Sequence, residues 1–374
     1  MATSNTPLPA GLKEVPTPAK IVAHLNKFIV GQDEAKRTLA VAVYNHYRRL
    51  QLTAKNPKRK WAYGKSNVLL LGPTGCGKTA LVKCLANYLG VVCHIGDATT
   101  ITQAGYVGDD VESLLVGLLR ASNYDIEKAQ CGIVFIDEVD KLASKGASAN
   151  ITRDVVGTGV QEALLKMMEG SVVTVPPQGG RKHPEQSLLY IDTSQILFVC
   201  SGAFQGLDHI IRKRIGKGTG AIGFGTSSNK EQQDGSSIYD HILPEDLYKF
   251  GMTPEFCGRL PLVSYVNSLN REDLERIFVE PEDSLLRQYS ELLMMDGIYL
   301  CFTKPAVKYM VDVAYEMGTG ARALRSVAEK VLRDVMFDAP TYRKSDSDSD
   351  SDPVQYKVTE DMVRDKLKSM LEAV

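Results

Sequence analysis

The spacing of apolar residues along the chain predicts helices that alternate with short buried strands. Helical spacing extends from Ile21 to Leu52 and is interrupted by the turn-like residues 30–33, where Asp33 could cap the second helix. Apolar runs predict strands from Asn67 to Leu71, from Gly132 to Ile136 and from Gln195 to Cys200, with a helix from Thr79 to Leu89. This order predicts an α/β fold in which helices flank both faces of a parallel sheet.

Other segments depart from this pattern. The opening residues are rich in Pro, Thr and Ala. Residues 216–237 are dense in Gly, Ser and Thr and too long for an ordinary connection, and loops of that length are usually functional or disordered. The Ser-Asp alternation at 345–352 cannot pack, and a solvated acidic loop is a better interpretation than a regulatory phosphorylation site.

From Arg271 onward the spacing of apolar residues is mainly helical. We predict a flexible lead-in at 1–18, a large domain at 19–266 and a smaller, mainly helical domain at 267–374.

Composition and charge narrow the possible partners. The chain has 374 residues, of which 44% are hydrophobic, enough for one or two ordinary cores. Its 44 basic and 45 acidic residues nearly balance, so no strong field marks nucleic acid or an anionic membrane as the main partner. No apolar run is long enough to span a bilayer, and the opening residues lack the features of a signal or transit peptide.

The seven cysteines are scattered, and no two of them form a C-x-x-C pair. They are typical of reduced thiols in a core, so they predict neither a disulfide framework nor a zinc site. We therefore expect a protein of a reducing interior compartment.

A nucleotide-binding motif lies between the first predicted strand and the helix that follows it. The candidate residues are Gly72, Pro73, Thr74, Gly75, Cys76, Gly77, Lys78, Thr79 and Ala80, of which all but the last form G-x-x-x-x-G-K-[ST]. The glycines let the backbone curl so that its amides face phosphate oxygens, and the helix N-terminus attracts the same anion. Lys78 would reach the β and γ phosphates of ATP, and the Thr79 hydroxyl would hold Mg²⁺.

The second predicted strand leads into two carboxylates, Asp137 and Glu138. Asp137 would hold the magnesium ion, directly or through water, and Glu138 would orient and polarise the attacking water. Acidic strand ends are common, but one that follows a phosphate-binding loop at this distance predicts a hydrolytic site. Together the two motifs predict an ATPase.

These motifs, with five others in the same order, resemble those of the ClpX family of AAA+ ATPases. The resemblance extends from about Pro16 to Pro340 and includes the motifs at 105–108, 181–184, 222–225, 254–259 and 320–322. It implies that residues 19–266 form the AAA+ ATPase domain. It also implies a homohexameric ring that unfolds tagged or unfolded protein substrates and feeds them to a ClpP-type peptidase.

The resemblance also implies roles for side chains that in isolation would be ordinary surface or core residues. Arg259 matches the arginine finger that reaches the neighbouring subunit's γ-phosphate, and Arg322 matches the sensor-2 arginine that contacts nucleotide in its own subunit. Ile29 and Val30 match the segment that packs on adenine, with core packing as the alternative. Ser201 follows the third predicted strand, and the sensor-1 position stays open.

Three segments resemble loops that handle substrate. Tyr106 and Val107 lie between two glycines, a poor environment for a core aromatic, and they match a pore loop that pushes on an unfolded chain. Residues 151–157, which include Arg153, resemble the second pore loop. The basic loop at the channel entrance is matched by Arg181, Lys182 and His183.

Ile222, Gly223 and Phe224 form an apolar tripeptide in an otherwise polar, glycine-rich loop, which exposes hydrophobic area unless a partner covers it. In the family this loop docks on the ClpP peptidase. The short interval from Tyr106 to Asp137 leaves no room for the domain that is inserted there in the related HslU.

One departure from the family is that no cysteine precedes Cys76, whereas most bacterial relatives begin with a four-cysteine zinc module. We therefore expect ATP and Mg²⁺ but no zinc.

Two alternatives to an unfoldase with a peptidase partner are a stand-alone remodelling chaperone and a nucleic-acid motor, although the balanced charge and Tyr106 argue against the nucleic-acid motor. The bacterial cytoplasm is the expected location, with the mitochondrial matrix as the alternative.

Overall fold

A computed structural model of the chain describes residues 14–56, 64–102, 109–144, 151–176, 188–218, 237–342 and 353–371. The chain divides into two compact units. Unit 1 comprises Met1–Val22, Asp33–Pro73 and Leu81–Val266, and unit 2 comprises Ala23–Gln32, Thr74–Ala80 and Asn267–Val374. Two short segments from the N-terminal part therefore belong to the same unit as the C-terminal part.

Helices and strands alternate in the first part of the chain, and helices predominate after it. The helices are α1 (Pro18–Leu25), α2 (Asp33–Lys55), α3 (Lys78–Leu89), α4 (Ser113–Ala121), α5 (Ile126–Gln130), α6 (Ile151–Glu169), α7 (Leu207–Gly218), α8 (Pro244–Phe250), α9 (Pro254–Gly258), α10 (Arg271–Val279), α11 (Leu285–Met294), α12 (Lys304–Glu316), α13 (Ala321–Tyr342) and α14 (Glu360–Leu371). The strands are β1 (Val68–Leu71), β2 (Cys93–Asp97), β3 (Ile101–Thr102), β4 (Asp109–Asp110), β5 (Ile133–Asp137), β6 (Val172–Val175), β7 (Leu189–Asp192), β8 (Leu197–Gly202), β9 (Leu262–Tyr265), β10 (Ile298–Phe302) and β11 (Val354–Val358).

Unit 1 is built on a parallel five-stranded sheet with the strand order β2-β5-β8-β1-β9. The register sets Leu69 of β1 beside Cys200 of β8 and Val263 of β9. Every residue of β1 is at most 1% exposed, so both faces of this interior strand are covered. This burial is typical of a parallel sheet between two layers of helices, and it confirms the predicted α/β fold.

The alternation of side chains along the strands supplies the unit 1 core. Leu69 and Leu71 of β1, with Val134 and Ile136 of β5, join one hydrophobic cluster that also contains residues of α4, α6 and α7. Helix α2 packs against β1 and β9. Its buried Tyr47 donates a hydrogen bond from the hydroxyl to the Cys131 carbonyl at 3.0 Å. Two short pairs, parallel β3–β4 and antiparallel β6–β7, complete the described strands of this unit.

Unit 2 is mainly helical, as predicted for the C-terminal part of the chain. Helices α10 to α14 and the two-stranded parallel sheet β10–β11 share one buried apolar cluster. Asn270 caps α10 by accepting from the Asp273 backbone, and the Asp273 side chain accepts from the Asn270 backbone in return. Thr303 caps α12 through a hydrogen bond from the Ala306 backbone.

The observed elements shift several predicted boundaries. Helix α3 begins at Lys78 instead of Thr79, and Asp33 is the first residue of α2 instead of its cap. Strand β8 extends to Gly202, so Ser201 lies within the strand and not after it. Residues 151–157, predicted as a loop, form the first turns of α6.

Candidate functional site

The G-x-x-x-x-G-K-T motif forms a tight turn between β1 and α3. Gly75 and Gly77 have φ values of +80° and +95°, which side chains rarely tolerate, and a Cβ on Gly75 would lie 2.2 Å from the Thr319 carbonyl oxygen. Lys78 is 7% exposed and begins the 12-residue helix α3, with Thr79 next. A curled, glycine-specified backbone at the start of a helix fits a phosphate group.

Within unit 2, this loop contacts the helix that carries Arg322. The Ala321 backbone nitrogen donates to the Gly75 carbonyl at 3.1 Å. A Cβ on Gly320 would lie 2.8 Å from the same carbonyl oxygen, so the two backbones are in close contact. Arg322 is the second residue of α13 and is exposed. Two motifs that are far apart in sequence are therefore neighbours within one unit.

Ile29 and Val30, the candidate adenine contacts, follow α1 in unit 2. The Ile29 backbone nitrogen donates to the Leu25 carbonyl at 2.9 Å, and Val30 is 8% exposed. The Lys27 carbonyl accepts from the Glu282 backbone at 2.9 Å, and the two side chains form an ion pair of 3.1 Å. These contacts fix the segment to the C-terminal part of unit 2.

Asp137 and Glu138 lie at the carboxyl end of β5 in unit 1. Asp137 is the last residue of the strand, and Glu138 has a left-handed backbone with φ 59° and ψ 31°. The Glu138 backbone nitrogen donates to Asp137 Oδ1 at 3.0 Å. This sharp turn leaves Asp137 partly buried and the Glu138 side chain exposed at the sheet edge.

Ser201 is a member of the site that sequence reasoning left open. It is fully buried in β8, and its hydroxyl donates a short hydrogen bond to Asp137 Oδ1. The register pairs Ile136 with Cys200, which places the next residues of β5 and β8 opposite each other. Aligning the two apolar runs as neighbouring parallel strands was the signal that could have found this contact.

Arg259 follows α9 directly and is fixed at its backbone but exposed at its guanidinium. Its carbonyl accepts from Asn67 Nδ2 at 2.9 Å. The guanidinium Nε and Nη2 donate to Glu169 Oε1 at 3.0 and 2.5 Å. The two side chains are 51% and 42% exposed, and a pair so open to solvent contributes only about 0–1 kcal/mol to stability. The guanidinium can therefore leave this partner at low cost.

The remaining predicted site residues are placed less completely. Arg153 belongs to α6, so the segment predicted as the second pore loop is helical at this point. The following predicted residues and segments lie outside the described residues: Tyr106, Val107, Arg181, Lys182, His183, Ile222, Gly223, Phe224 and the acidic loop at 345–352.

Two kinds of feature are absent from the described ranges of the chain. No helix there is long and apolar enough to cross a membrane, and no group of three or more His, Cys, Asp or Glu side chains there could hold a metal ion. All seven cysteines are free thiols. Burial raises the pKa of Cys93 and Cys131 to about 11 and that of Cys200 and Cys257 to about 12, so these four stay protonated at neutral pH.

Comparisons with known proteins agree with the motifs. Residues 64–263 match the family described as AAA domain (Cdc48 subfamily), and residues 269–351 match the C-terminal, D2-small domain, of ClpB protein. Three bacterial relatives carry the name ATP-dependent Clp protease ATP-binding subunit ClpX. The one from Borrelia duttonii is 50% identical over 338 residues, which cover 90% of this chain and 77% of the relative. Those from Treponema denticola and Bacteroides thetaiotaomicron are 48% and 46% identical, covering 88% and 96% of this chain and 79% and 83% of the relatives.

Proposed function

The chain belongs to the ClpX family of AAA+ ATPases, and on this premise we propose that it is the unfoldase subunit of a Clp-type protease. It would form a homohexameric ring that hydrolyses ATP, unfolds protein substrates and passes them to a ClpP-type peptidase. The observation that carries the proposal is the hydrogen bond from Ala321 to the Gly75 carbonyl. Within unit 2 it joins the phosphate-binding loop to α13, the helix that carries Arg322.

The proposed ATP site combines the phosphate-binding loop with the residues that would hold adenine, magnesium and water. The amides of residues 74–79 would bind the phosphates, with Lys78 on the β and γ phosphates and Ile29 and Val30 on adenine. Thr79 and Asp137 would hold Mg²⁺, which neutralises the negative charge that the phosphates carry. Glu138, exposed beyond the strand end, would orient and polarise the attacking water.

Two arginines would connect hydrolysis to movement. Arg259 would leave Glu169 and reach the γ-phosphate held by a neighbouring subunit, where a guanidinium stabilises developing negative charge. Arg322 would contact nucleotide in its own subunit. Because Arg322 lies in the first turn of α13, the loss of the γ-phosphate would remove a contact of this helix with the nucleotide.

The substrate and peptidase contacts are proposed from the family resemblance. Tyr106, Val107 and Arg153 would face the channel, and the basic residues at 181–183 would lie at its entrance. The apolar tripeptide at 222–224 would dock on the peptidase. The relatives are bacterial, which supports the bacterial cytoplasm as the proposed location.

The test is degradation of a folded fluorescent protein with an unstructured tag. The purified chain with ATP, Mg²⁺ and a ClpP-type peptidase should abolish fluorescence and produce peptides, and a non-hydrolysable ATP analogue should stop both. Loss of fluorescence without peptide release would favour the stand-alone remodelling chaperone. No ATP-dependent loss of fluorescence in either arrangement would overturn the unfoldase proposal.

A further inference from the structure

Gln32 has a left-handed backbone, with φ of 60°, directly after Gly31 with φ of 61°. Glycine adopts this conformation readily, whereas a residue with a Cβ is strained there. A strained residue that persists points to a role for its side chain. Gln32 is also only 7% exposed, so this side chain works inside the protein and not at its surface.

The Gln32 side chain bridges two segments of unit 2. Its Oε1 accepts from the Asn267 backbone nitrogen at 2.7 Å, and its Nε2 donates to the Asn267 carbonyl at 3.0 Å. The same Nε2 donates to the Cys76 carbonyl at 3.4 Å, in the phosphate-binding loop. Gln32 therefore links this loop to Asn267, the first residue of the long C-terminal segment of unit 2.

Two consecutive carbonyls of the loop are held in this way. The Cys76 carbonyl accepts from Gln32, and the Gly75 carbonyl accepts from the Ala321 backbone at 3.1 Å. In a trans peptide, the carbonyl of one residue and the N–H of the next residue point in opposite directions. Fixing these two carbonyls therefore also fixes the directions of the N–H groups of Cys76 and Gly77.

We propose that Gln32 is a positioning residue for ATP binding. Its side chain holds the Cys76–Gly77 peptide so that the N–H of this peptide faces the phosphates, and its hydrogen bonds to Asn267 fix this orientation. The inference rests on the proposed ATPase function. Donors that are aimed before the ligand arrives bind it without paying for reorganisation. Without Gln32 this peptide would be free to rotate, because Gly77 tolerates a wide range of backbone angles. ATP would then bind more weakly, whereas the residues proposed for hydrolysis would be unchanged.

The test compares Gln32→Ala with Gln161→Ala. Gln161 is a matched control because it is also buried and bridges two backbone segments, donating to the Leu142 carbonyl at 2.8 Å and accepting from the Thr253 nitrogen at 2.9 Å. Gln32→Ala should raise the Kd for a fluorescent ATP analogue and the KM for ATP roughly ten-fold, as expected for about one lost hydrogen bond. Its kcat should change less than about two-fold. Gln161→Ala should lower Tm without changing the Kd.

Gln32→Gly keeps the test decisive if the alanine variant folds poorly. Glycine relieves the backbone strain at φ 60° and removes the same three hydrogen bonds, so ATP affinity should fall while Tm falls less than in Gln32→Ala. Hydrogen exchange provides a direct readout, since the Asn267 amide loses its acceptor and should exchange faster.

The outcomes separate this inference from the function on which it rests. Unchanged ATP affinity in Gln32→Gly, when the parent binds and hydrolyses ATP, would overturn the role of Gln32 and leave the function intact. Equal losses of affinity in Gln32→Gly and Gln161→Ala would show a general structural effect and would also overturn that role. A parent protein that does not hydrolyse ATP would instead overturn the proposed function.

Discussion

The Ser201 hydroxyl donates a hydrogen bond to Asp137 Oδ1 between the neighbouring strands β8 and β5. The same oxygen accepts from the Glu138 backbone nitrogen at 3.0 Å. Two donors on one oxygen fix the rotation of the carboxylate. Ser201 therefore sets the direction in which Asp137 would present itself to a magnesium nucleotide, although Ser201 need not touch the nucleotide itself.

We expect Ser201→Ala to weaken the use of magnesium. Loss of a hydrogen bond that orients a metal ligand commonly costs 10- to 100-fold, so the Mg²⁺ concentration for half-maximal ATPase activity should rise about ten-fold. ATPase rates across a magnesium titration measure this change. Ser264→Ala is the control, because the Ser264 hydroxyl is buried on β9 and has no hydrogen-bond partner within the described structure. Identical titrations for the parent and Ser201→Ala would contradict the orienting role.

Glu138→Gln should separate nucleotide binding from hydrolysis. The side chain is exposed and the two residues are nearly isosteric, so the left-handed turn and the orientation of Asp137 should persist. The amide cannot polarise water as a carboxylate does, and we expect kcat to fall at least 100-fold with ATP affinity within a few-fold of the parent. Single-turnover ATPase and equilibrium binding measure the two quantities. A variant that keeps half of the parental turnover would refute the role of Glu138.

Local sequence signals were sufficient for much of the fold and for the nucleotide motifs. The apolar runs of β1, β5 and β8 are continuous because these strands are buried on both faces, so each was found within two residues of its ends. Strand β2 was missed because it reads Cys-His-Ile-Gly-Asp and is only half-buried throughout. Strand β9 was missed because it reads Leu-Val-Ser-Tyr and is mostly half-buried, so it lacks the continuous apolar run of β1, which is equally short.

Long-range contacts were beyond the reach of the sequence. The side chain of Gln32 meets Asn267 across 235 positions of chain, and nothing local to either residue marks the pair. The grouping of residues 23–32 and 74–80 with the C-terminal part follows from such contacts. Ser201 was left open for a related reason, since its importance depends on which strand lies next to β8.

Arg259 should act on a neighbouring subunit and not through Glu169. We expect Arg259→Ala to lose nearly all ATPase activity and to recover part of it when mixed with Glu138→Gln in the same rings. Recovery arises where the intact glutamate of one subunit faces the intact arginine of the next. ATPase assays on mixed rings, with mixing verified by mass spectrometry, measure it. No recovery in such rings would contradict action across the boundary.

Glu169→Gln tests the intramolecular pair separately. The pair is exposed, so its loss should change stability by less than about 1 kcal/mol. ATPase activity should equal or exceed that of the parent, because the guanidinium is then less strongly held on its own subunit. A loss of ATPase activity as large as that of Arg259→Ala would instead make the ion pair itself the functional unit.

His46 should make the protein less stable in acid. Burial lowers the pKa of His46 from 6.5 to about 3, and the nearby charges of Arg49 and Lys65 act in the same direction. Between pH 6.5 and about pH 3 the unfolded chain binds a proton that the folded protein does not. The free energy of unfolding therefore falls as the pH drops below 6.5, by up to about 1.4 kcal/mol per pH unit. His46→Leu removes this proton. Urea unfolding at pH 7, 6 and 5 should therefore give a shallower decline for His46→Leu than for the parent, and parallel declines would contradict the assignment.

Tyr106 and Phe224 should affect different steps, because the resemblance places them in loops with different partners. Tyr106→Ala should keep peptidase binding and ATPase activity but impair unfolding, since the aromatic contacts that push on the substrate are lost. Phe224→Ala should keep ATPase activity and unaided unfolding but lose peptidase association, because truncating an aromatic anchor commonly costs about 2 kcal/mol or more at an interface.

Both variants are compared by loss of fluorescence of a tagged fluorescent protein without peptidase and by its degradation with peptidase. Each variant serves as the control for the other, since a general folding defect would impair both steps together. Unfolding without degradation is the pattern expected for Phe224→Ala, and failure of both with ATPase activity retained is the pattern expected for Tyr106→Ala. If Phe224→Ala degrades substrate at the parental rate, the docking role is wrong. A stand-alone remodelling chaperone would then explain the apolar tripeptide at least as well as docking on a peptidase does.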